Sequence, residues 1–171
     1  MTSEQAKTIL DYNVQLTRRE AATTAKVLAA TPADKHDYAP TERCMPAGKL
    51  LWHIPSAEIA ILKGALTGTF DFGAERPANT ETPAQIAAWY TENVNAVLDG
   101  CAAMSGEEAA RIVDLMGVFQ LPAFSYVTFA LNHSIHHRGQ LSSYLRPMGA
   151  TVPSIYGPSA DENPFEKKAE A

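Results

Sequence analysis

The chain has 171 residues, a length that suits one domain with a well-buried core. It carries 14 Lys and Arg against 19 Asp and Glu, a formal net charge of -5. No basic block occurs, so the charge pattern that nucleic-acid binding requires is missing. Two cysteines exclude a disulfide scaffold. We find neither an export signal nor an apolar run of ~18 residues, and we therefore expect a cytoplasmic protein without a membrane partner.

The first two helices are predicted from capping residues and apolar periodicity. Thr2 and Gln5 have the spacing of a capping box, and the first helix should end near Ala30. Pro46 fits the first turn of a second helix, which should fray towards Gly68. Long polar connections follow both helices.

The second half of the chain contains two more helices. Residues 82–85 combine a cap, a first-turn proline and a reciprocal glutamine, and the third helix should continue to about Met104. Residues 105–121 predict a short turn followed by extended chain. Pro122 restarts a helix that should run to about Arg146.

These segments predict an all-α protein. Four helices of roughly 20 to 28 residues joined by long loops favour a four-helix bundle. We expect one domain over residues 1–171, with a loop-like tail from about residue 158. A stack of helical repeats would require a sequence period, which the chain lacks.

Histidine is the most informative residue type in the chain. Three of the five histidines lie in the fourth predicted helix. At ~100° per residue, His133 and His137 share one face, so both imidazoles can point at one metal ion. That face continues through Tyr126 and Tyr144. His136 lies at its edge, which favours a packing, interface or second-shell position.

His53 has an equivalent place in the second helix. It shares a face with Ala57 and Gly64, which leave space beside its imidazole. If the two helices are neighbours, the three histidines could hold one ion with an open coordination position, as in catalytic sites. The alternative is that they simply pack, since a lone histidine on an apolar face is usually a hydrogen-bonded core residue.

Other side chains could complete such a site. Glu20 interrupts the apolar face of the first helix, where it is either a second-shell group or general base, or solvated if the helix is turned slightly. Gln140 could hydrogen-bond an imidazole that holds the ion. Tyr126, Tyr144 and Tyr156 could each supply a phenol, although packing is the commoner use of tyrosine.

The fourth helix also has a second apolar face, opposite the first. A helix that is apolar on both sides must be covered on both sides. The tail could cover part of this face, and the simpler prediction is a two-fold dimer contact. This face consists of Phe124, Val127, Leu131, Ile135 and Leu145.

Leu51–Ile54 and His133–Leu141 together resemble the DinB-like proteins, also described as YfiT-like metalloenzymes, and the resemblance covers nearly the whole chain. The HHRGQL run is its most specific part. It implies an up-down-down-up four-helix bundle, usually dimeric. It also implies one divalent ion, often zinc or nickel, on His53, His133 and His137.

The resemblance implies two kinds of chemistry on a small-molecule substrate. One is thiol transfer with a low-molecular-weight thiol as co-substrate, and the other is metal-dependent hydrolysis. We therefore expect a metal-dependent enzyme. Two alternatives remain open, namely a non-catalytic protein that binds a metal or small ligand, and a structural helical protein.

Overall fold

The computed structural model describes residues 1–166, which are mostly helical. The predicted helical class is confirmed, apart from one small antiparallel sheet. The elements are α1 (Ser3–Ala29), α2 (Ala47–Thr67), α3 (Pro83–Ala103), α4 (Gly106–Ala110), β1 (Ile112–Leu115), β2 (Phe119–Pro122) and α5 (Ala123–Leu145). Residues 158–166 contain no helix or strand, and the remaining part of the predicted tail, 167–171, lies outside the described residues.

The predicted helix starts are confirmed by their hydrogen bonds. The Gln5 amide donates to the Thr2 hydroxyl at 3.2 Å, and the Thr2 amide donates to the Gln5 side chain at 2.9 Å. Thr82 and Gln85 make the same reciprocal pair at α3. At the other end of α2, Gly68 ends the helix with φ of 87°, a conformation that glycine adopts without steric cost.

The four long helices enclose one apolar core. α1 packs against α3 and α5, and α2 packs against the same two helices. Burial of aliphatic side chains is the main stabilising term in such an interior. Fully buried members include Leu10, Leu28, Leu50, Ile54, Leu62, Ile86, Leu98 and Leu141. Over residues 1–166, no helix combines the length and the apolar character needed to cross a membrane.

The second apolar face of α5 is largely covered by the chain itself. Val127, Leu131 and Leu145 are all buried within the single chain. The physical reason for predicting a dimer contact there is therefore absent, because the neighbouring elements already supply the cover. The dimer itself stays an untested prediction.

Residues 105–121 contain the predicted short turn and extended chain, and the extended chain is paired into a hairpin that was not predicted. They form the short helix α4 and then the hairpin β1–β2, in which Val113 pairs with Leu121 and Leu115 with Phe119. The turn places Met116 at φ of 53°, a left-handed conformation that methionine rarely adopts. The next residue, Gly117, has φ of 74° and is the usual residue of a tight turn, whereas Met116 gives no indication of its own left-handed conformation.

The hairpin is attached to α5 through Tyr126. The Tyr126 hydroxyl lies 2.9 Å from the carbonyl oxygens of both Val113 and Phe119, and its ring centroid is 5.0 Å from that of Phe70. The prediction that Tyr126 supplies a phenol to the histidine pocket is corrected here. Its hydroxyl is engaged by the hairpin.

Replacement of Tyr126 by Phe should lower the free energy of unfolding by about 1 kcal/mol, because two strand carbonyls lose their donor. Tyr12→Phe is the control, since Tyr12 is 64% exposed. Urea unfolding followed by circular dichroism measures both variants. Equal midpoints for Tyr126→Phe and Tyr12→Phe would show that the hydroxyl does not stabilise the hairpin.

Candidate metal centre

The structure brings the three predicted histidines together. His53 projects from α2, and His133 and His137 project from successive turns of α5. The Nε2 atom of His53 lies 3.2 Å from Nε2 of His133 and 3.3 Å from Nε2 of His137. The potential ligand atoms of all three residues lie within 4.8 Å of one another, and the side chains are half-buried.

This spacing fits a divalent ion. Imidazole nitrogens at ~2.0–2.1 Å from a tetrahedral ion lie about 3.3–3.4 Å from one another. The two short Nε2 separations from His53, 3.2 and 3.3 Å, are close to that value. The three residues could therefore hold one ion.

The protonation of the group also suits metal binding. Burial, and then the charges of the neighbouring His137, His53 and His136, together lower the pKa of His133 to about 4. Burial and then the charge of His137 lower the pKa of His53 as well. Neutral imidazole is the form that binds metals, so these shifts keep two of the three side chains in that form at neutral pH.

Gln140 orients one of the three rings. Its Oε1 atom lies 2.6 Å from Nδ1 of His137, so Nδ1 carries the proton and Nε2 presents its lone pair to the other two rings. The Nδ1 atom of His133 is buried without a hydrogen-bond partner among the described residues. His136 is exposed, with its ring centroid 4.8 Å from that of His137, outside the group of three.

A pocket of about 410 Å³ lies beside His53. It is enclosed by α2, by α3 and by the connection between them. Three aromatic side chains line it, Trp52, Phe72 and Trp89. This pocket was not predicted from the sequence, because its walls come from three separate segments whose packing periodicity does not reveal.

Glu20 makes a buried ion pair with Arg138. The guanidinium lies 2.7 Å from the Glu20 carboxylate and is almost fully buried. The Tyr156 hydroxyl accepts from Arg138 at 2.7 Å and donates to Glu20 at 2.9 Å. Tyr144 lies elsewhere, with its ring 5.7 Å from that of Tyr38. Among the described residues, neither Glu20 nor these tyrosines makes a hydrogen bond to the three histidines.

A second buried carboxylate, Glu58, was not predicted as part of the site. It is 1% exposed, and the Tyr90 hydroxyl donates to it at 2.6 Å. Burial raises the pKa of Glu58 to about 7, although the bond from Tyr90 and the charge of Arg138 act in the opposite direction. A carboxylate within the otherwise apolar run of α2 was the sequence signal that could have identified it.

The mostly helical fold, with three histidines whose ring nitrogens are close enough to share one ion, defines a candidate metal-binding protein. Comparison with known proteins places the chain in a family. The model of the DinB family matches residues 3–168, so the chain belongs to the DinB family. This confirms the resemblance found in the sequence.

Two relatives are similar to this chain over most of its length. The chain is 29% identical over 158 residues to the uncharacterized protein YrdA of Bacillus subtilis strain 168, with 90% of this chain and 91% of that protein covered. Uncharacterized protein YjoA of the same strain is 29% identical over 126 residues, covering 72% of this chain and 80% of YjoA.

Two DinB-like crystal structures have the same fold. The structure of YjoA from Bacillus subtilis has a TM-score of 0.71 at 24% identity and covers 84% of this chain and 97% of its own. A DinB-like protein from Bacillus cereus ATCC 10987 has a TM-score of 0.70 at 24% identity, with coverage of 84% and 95%. At this identity the likeness concerns the fold alone.

Glu58 should make the stability of the protein depend on pH. Its carboxyl has a pKa near 4.5 in the unfolded chain and about 7 in the fold, so the fold favours the neutral form. The stabilisation is complete below the unfolded pKa and is lost as pH rises through the folded pKa. At ~1.4 kcal/mol per unit of pKa, the loss is about 3 kcal/mol.

Glu58→Gln should remove this dependence, because the amide is neutral at every pH and still accepts from Tyr90. Glu92→Gln, at an exposed position of α3, is the control. Denaturant unfolding between about pH 5 and about pH 8 measures the effect. The same decline with pH in the Glu58→Gln variant would mean that another group is responsible.

Proposed function

We propose that this DinB-family chain is a metal-dependent enzyme that holds one divalent ion, zinc or nickel, on His53, His133 and His137. The observation that carries the proposal is the convergence of three imidazole side chains, in which Nε2 of His53 lies at the spacing of a tetrahedral site from Nε2 of both other histidines. An ion bound there supplies a Lewis-acid position at which a thiol or a water molecule becomes acidic.

The side chains around the histidines orient one ring and line a space for a substrate. His53 is the member of the group that lines the pocket of about 410 Å³, so a small-molecule substrate in that pocket lies beside the histidines. Gln140 fixes the ring of His137 through its Nδ1 proton. This arrangement supports thiol transfer with a low-molecular-weight thiol as co-substrate, or hydrolysis.

Glu20 remains our proposed acid-base residue, now with a defined environment. Its carboxylate is held by Arg138 and Tyr156, and the ion pair connects α1 to the turn of α5 that carries His137. The same contacts support a second role, in which Glu20 positions α5 through Arg138. Among residues 1–166, the contact found for the His136 ring is packing against His137, which supports no role in the reaction.

We also propose that the four long helices form the up-down-down-up bundle implied by the family. Cross-helix contacts support parallel α1 and α5, antiparallel α1 and α3, and parallel α2 and α3. The pairs are Asn13–Thr128 and Glu20–Arg138, then Lys7–Ala102 and Arg18–Asn95, then Glu58–Tyr90 and Leu62–Cys101. The homodimer and the cytoplasmic location stay predictions.

Protein purified without an affinity tag and incubated with zinc or nickel should contain about one ion per chain by elemental analysis. The His137→Ala variant should lose most of it, because two imidazoles remain where three converge. His136→Ala is the matched control, since it removes the adjacent exposed histidine. Less than ~0.1 ion per chain in the unsubstituted protein would overturn the proposal.

The same two variants separate an enzyme from a non-catalytic binding protein. A screen for thiol conjugation and for ester hydrolysis should detect turnover in the metal-loaded protein and in His136→Ala, and lose it in His137→Ala. A metal-loaded protein without turnover in either assay supports the alternative of a metal- or ligand-binding bundle.

Gln140→Leu should weaken metal binding by roughly 10- to 100-fold, the usual effect of removing a group that orients a histidine ligand. Asn132→Leu is the control, because Asn132 is exposed on the same helix. Competition with a chelator of known affinity measures both variants. Unchanged affinity in Gln140→Leu would show that the bond to His137 does not prepare the ring for an ion.

A further inference from the structure

We propose that the pocket beside His53 is a binding site for an uncharged aromatic molecule of one or two rings, held against Trp52 and Trp89. The inference rests on the proposed function in one respect, since it names the substrate class of that site. The binding itself requires only the pocket.

The aromatic wall of the pocket is rigidly supported. The ring centroids of Trp52 and Trp89 are 5.0 Å apart, with 42° between their planes. The Arg76 guanidinium lies 5.3 Å from the ring of Trp52 and donates to Thr80. Trp52 therefore has an aromatic neighbour and a cationic neighbour that hold its ring in place. Binding of a ligand then costs little further loss of side-chain freedom at Trp52.

Phe72 supplies a second aromatic surface. Its ring stacks on that of Phe70, with centroids 6.3 Å apart and 9° between the planes. The Phe72 side chain is nevertheless 52% exposed, so a large apolar surface remains in contact with water. A ligand ring that covers Phe72 and the two tryptophans would gain the hydrophobic contribution of that surface.

The floor of the pocket is shaped by small residues of α2. Ala57 and Ala60 follow His53 at helical spacings of four and three, and all three residues line the pocket. Seven residues of helix span about 10 Å. A planar ring can thus lie along α2 with one edge at His53 and the methyl groups of Ala57 and Ala60 beneath it.

The size and charge of the pocket restrict the ligand further. A volume of about 410 Å³ lies towards the lower end of the range for small-molecule pockets, roughly 300 to 1,000 Å³. The rim carries one ammonium group, from Lys63, and two carboxylates, from Asp71 and Glu75. With the Arg76 guanidinium beside Trp52 these charges balance, so nothing offsets the cost of moving an anionic or strongly polar ligand from water to the apolar walls.

Intrinsic fluorescence provides a direct test, because the chain contains two tryptophans and both line the pocket. Diphenylmethanol is the uncharged two-ring probe, and diphenylacetate is its anionic counterpart. We expect a saturable change in tryptophan emission with diphenylmethanol, and at least about 10-fold weaker binding of diphenylacetate, which corresponds to ~1.4 kcal/mol. No saturable change, or tighter binding of the anion, would overturn the inference.

Two variants locate the binding. Phe72→Ala should weaken binding of diphenylmethanol, whereas Phe165→Ala, which removes another exposed phenylalanine at 76% exposure, should not. Ala60→Leu should fill the part of the pocket next to α2 and so weaken binding of diphenylmethanol. Thermal unfolding of this variant shows whether it still folds. Equal affinities in Phe72→Ala and Phe165→Ala would place the probe elsewhere and contradict the inference.

The His137→Ala variant separates this inference from the proposed function. It should bind diphenylmethanol as the unsubstituted protein does, because His137 does not line the pocket. A metal-loaded protein that fails to bind the probe overturns the inference alone. A protein that binds the probe but no metal overturns the metal proposal and leaves the aromatic site in place.

Discussion

The packing of α2 against α5 is the contact on which the site depends, because the three histidines come from these two helices. One contact that sets the distance between the two helices lies near the end of α2, at Gly64. A Cβ atom on Gly64 would lie 2.1 Å from the Phe70 ring, so only glycine leaves room for Phe70 to fold back over the helix. Phe70 in turn packs on Tyr126 of α5, two turns before His133. The spacing of the helices is thus fixed by core contacts outside the histidine group.

Buried polar groups add a second constraint to the same core. Arg138 and Glu58 would each be costly inside the protein as isolated charges, and each has a partner from another helix. Glu20 of α1 pairs with Arg138 of α5, and Tyr90 of α3 donates to Glu58 of α2. A sliding of one helix of a pair by one turn would leave these groups without a partner, which fixes the register of α1 against α5 and of α2 against α3.

The parts of the fold that follow from local chemistry could be predicted from the sequence. The capping residues Thr2 and Thr82 mark the first turns of α1 and α3, because the hydrogen bonds involved span three residues. The shared face of His133 and His137 follows from helical geometry alone. The approach of His53 to that pair required a knowledge of which helices are neighbours, which the resemblance implied and periodicity did not.

The parts that the sequence did not predict depend on contacts between distant segments. The hairpin turns at Met116, whose left-handed conformation has no signal in a methionine. Tyr126 was assigned to the pocket because it shares the face of His133, but its hydroxyl is engaged by the hairpin. The dimer prediction treated the face around Val127 and Leu131 as uncovered, whereas the chain itself covers it.

The proposed site combines two parts that are built differently, and His53 is common to both. The three histidines depend on α2 and α5, whose spacing the core fixes. The aromatic pocket depends on α2, on Trp89 of α3 and on residues 71–75 of the connection between them, which include Phe72 and are all exposed. Changes in this exposed part of the connection, beyond Phe70, can therefore alter the ligand while the histidine spacing stays the same, because surface segments tolerate substitution far better than packed helices. In this architecture the core determines whether an ion can be held, and the connection determines which molecule is presented to it.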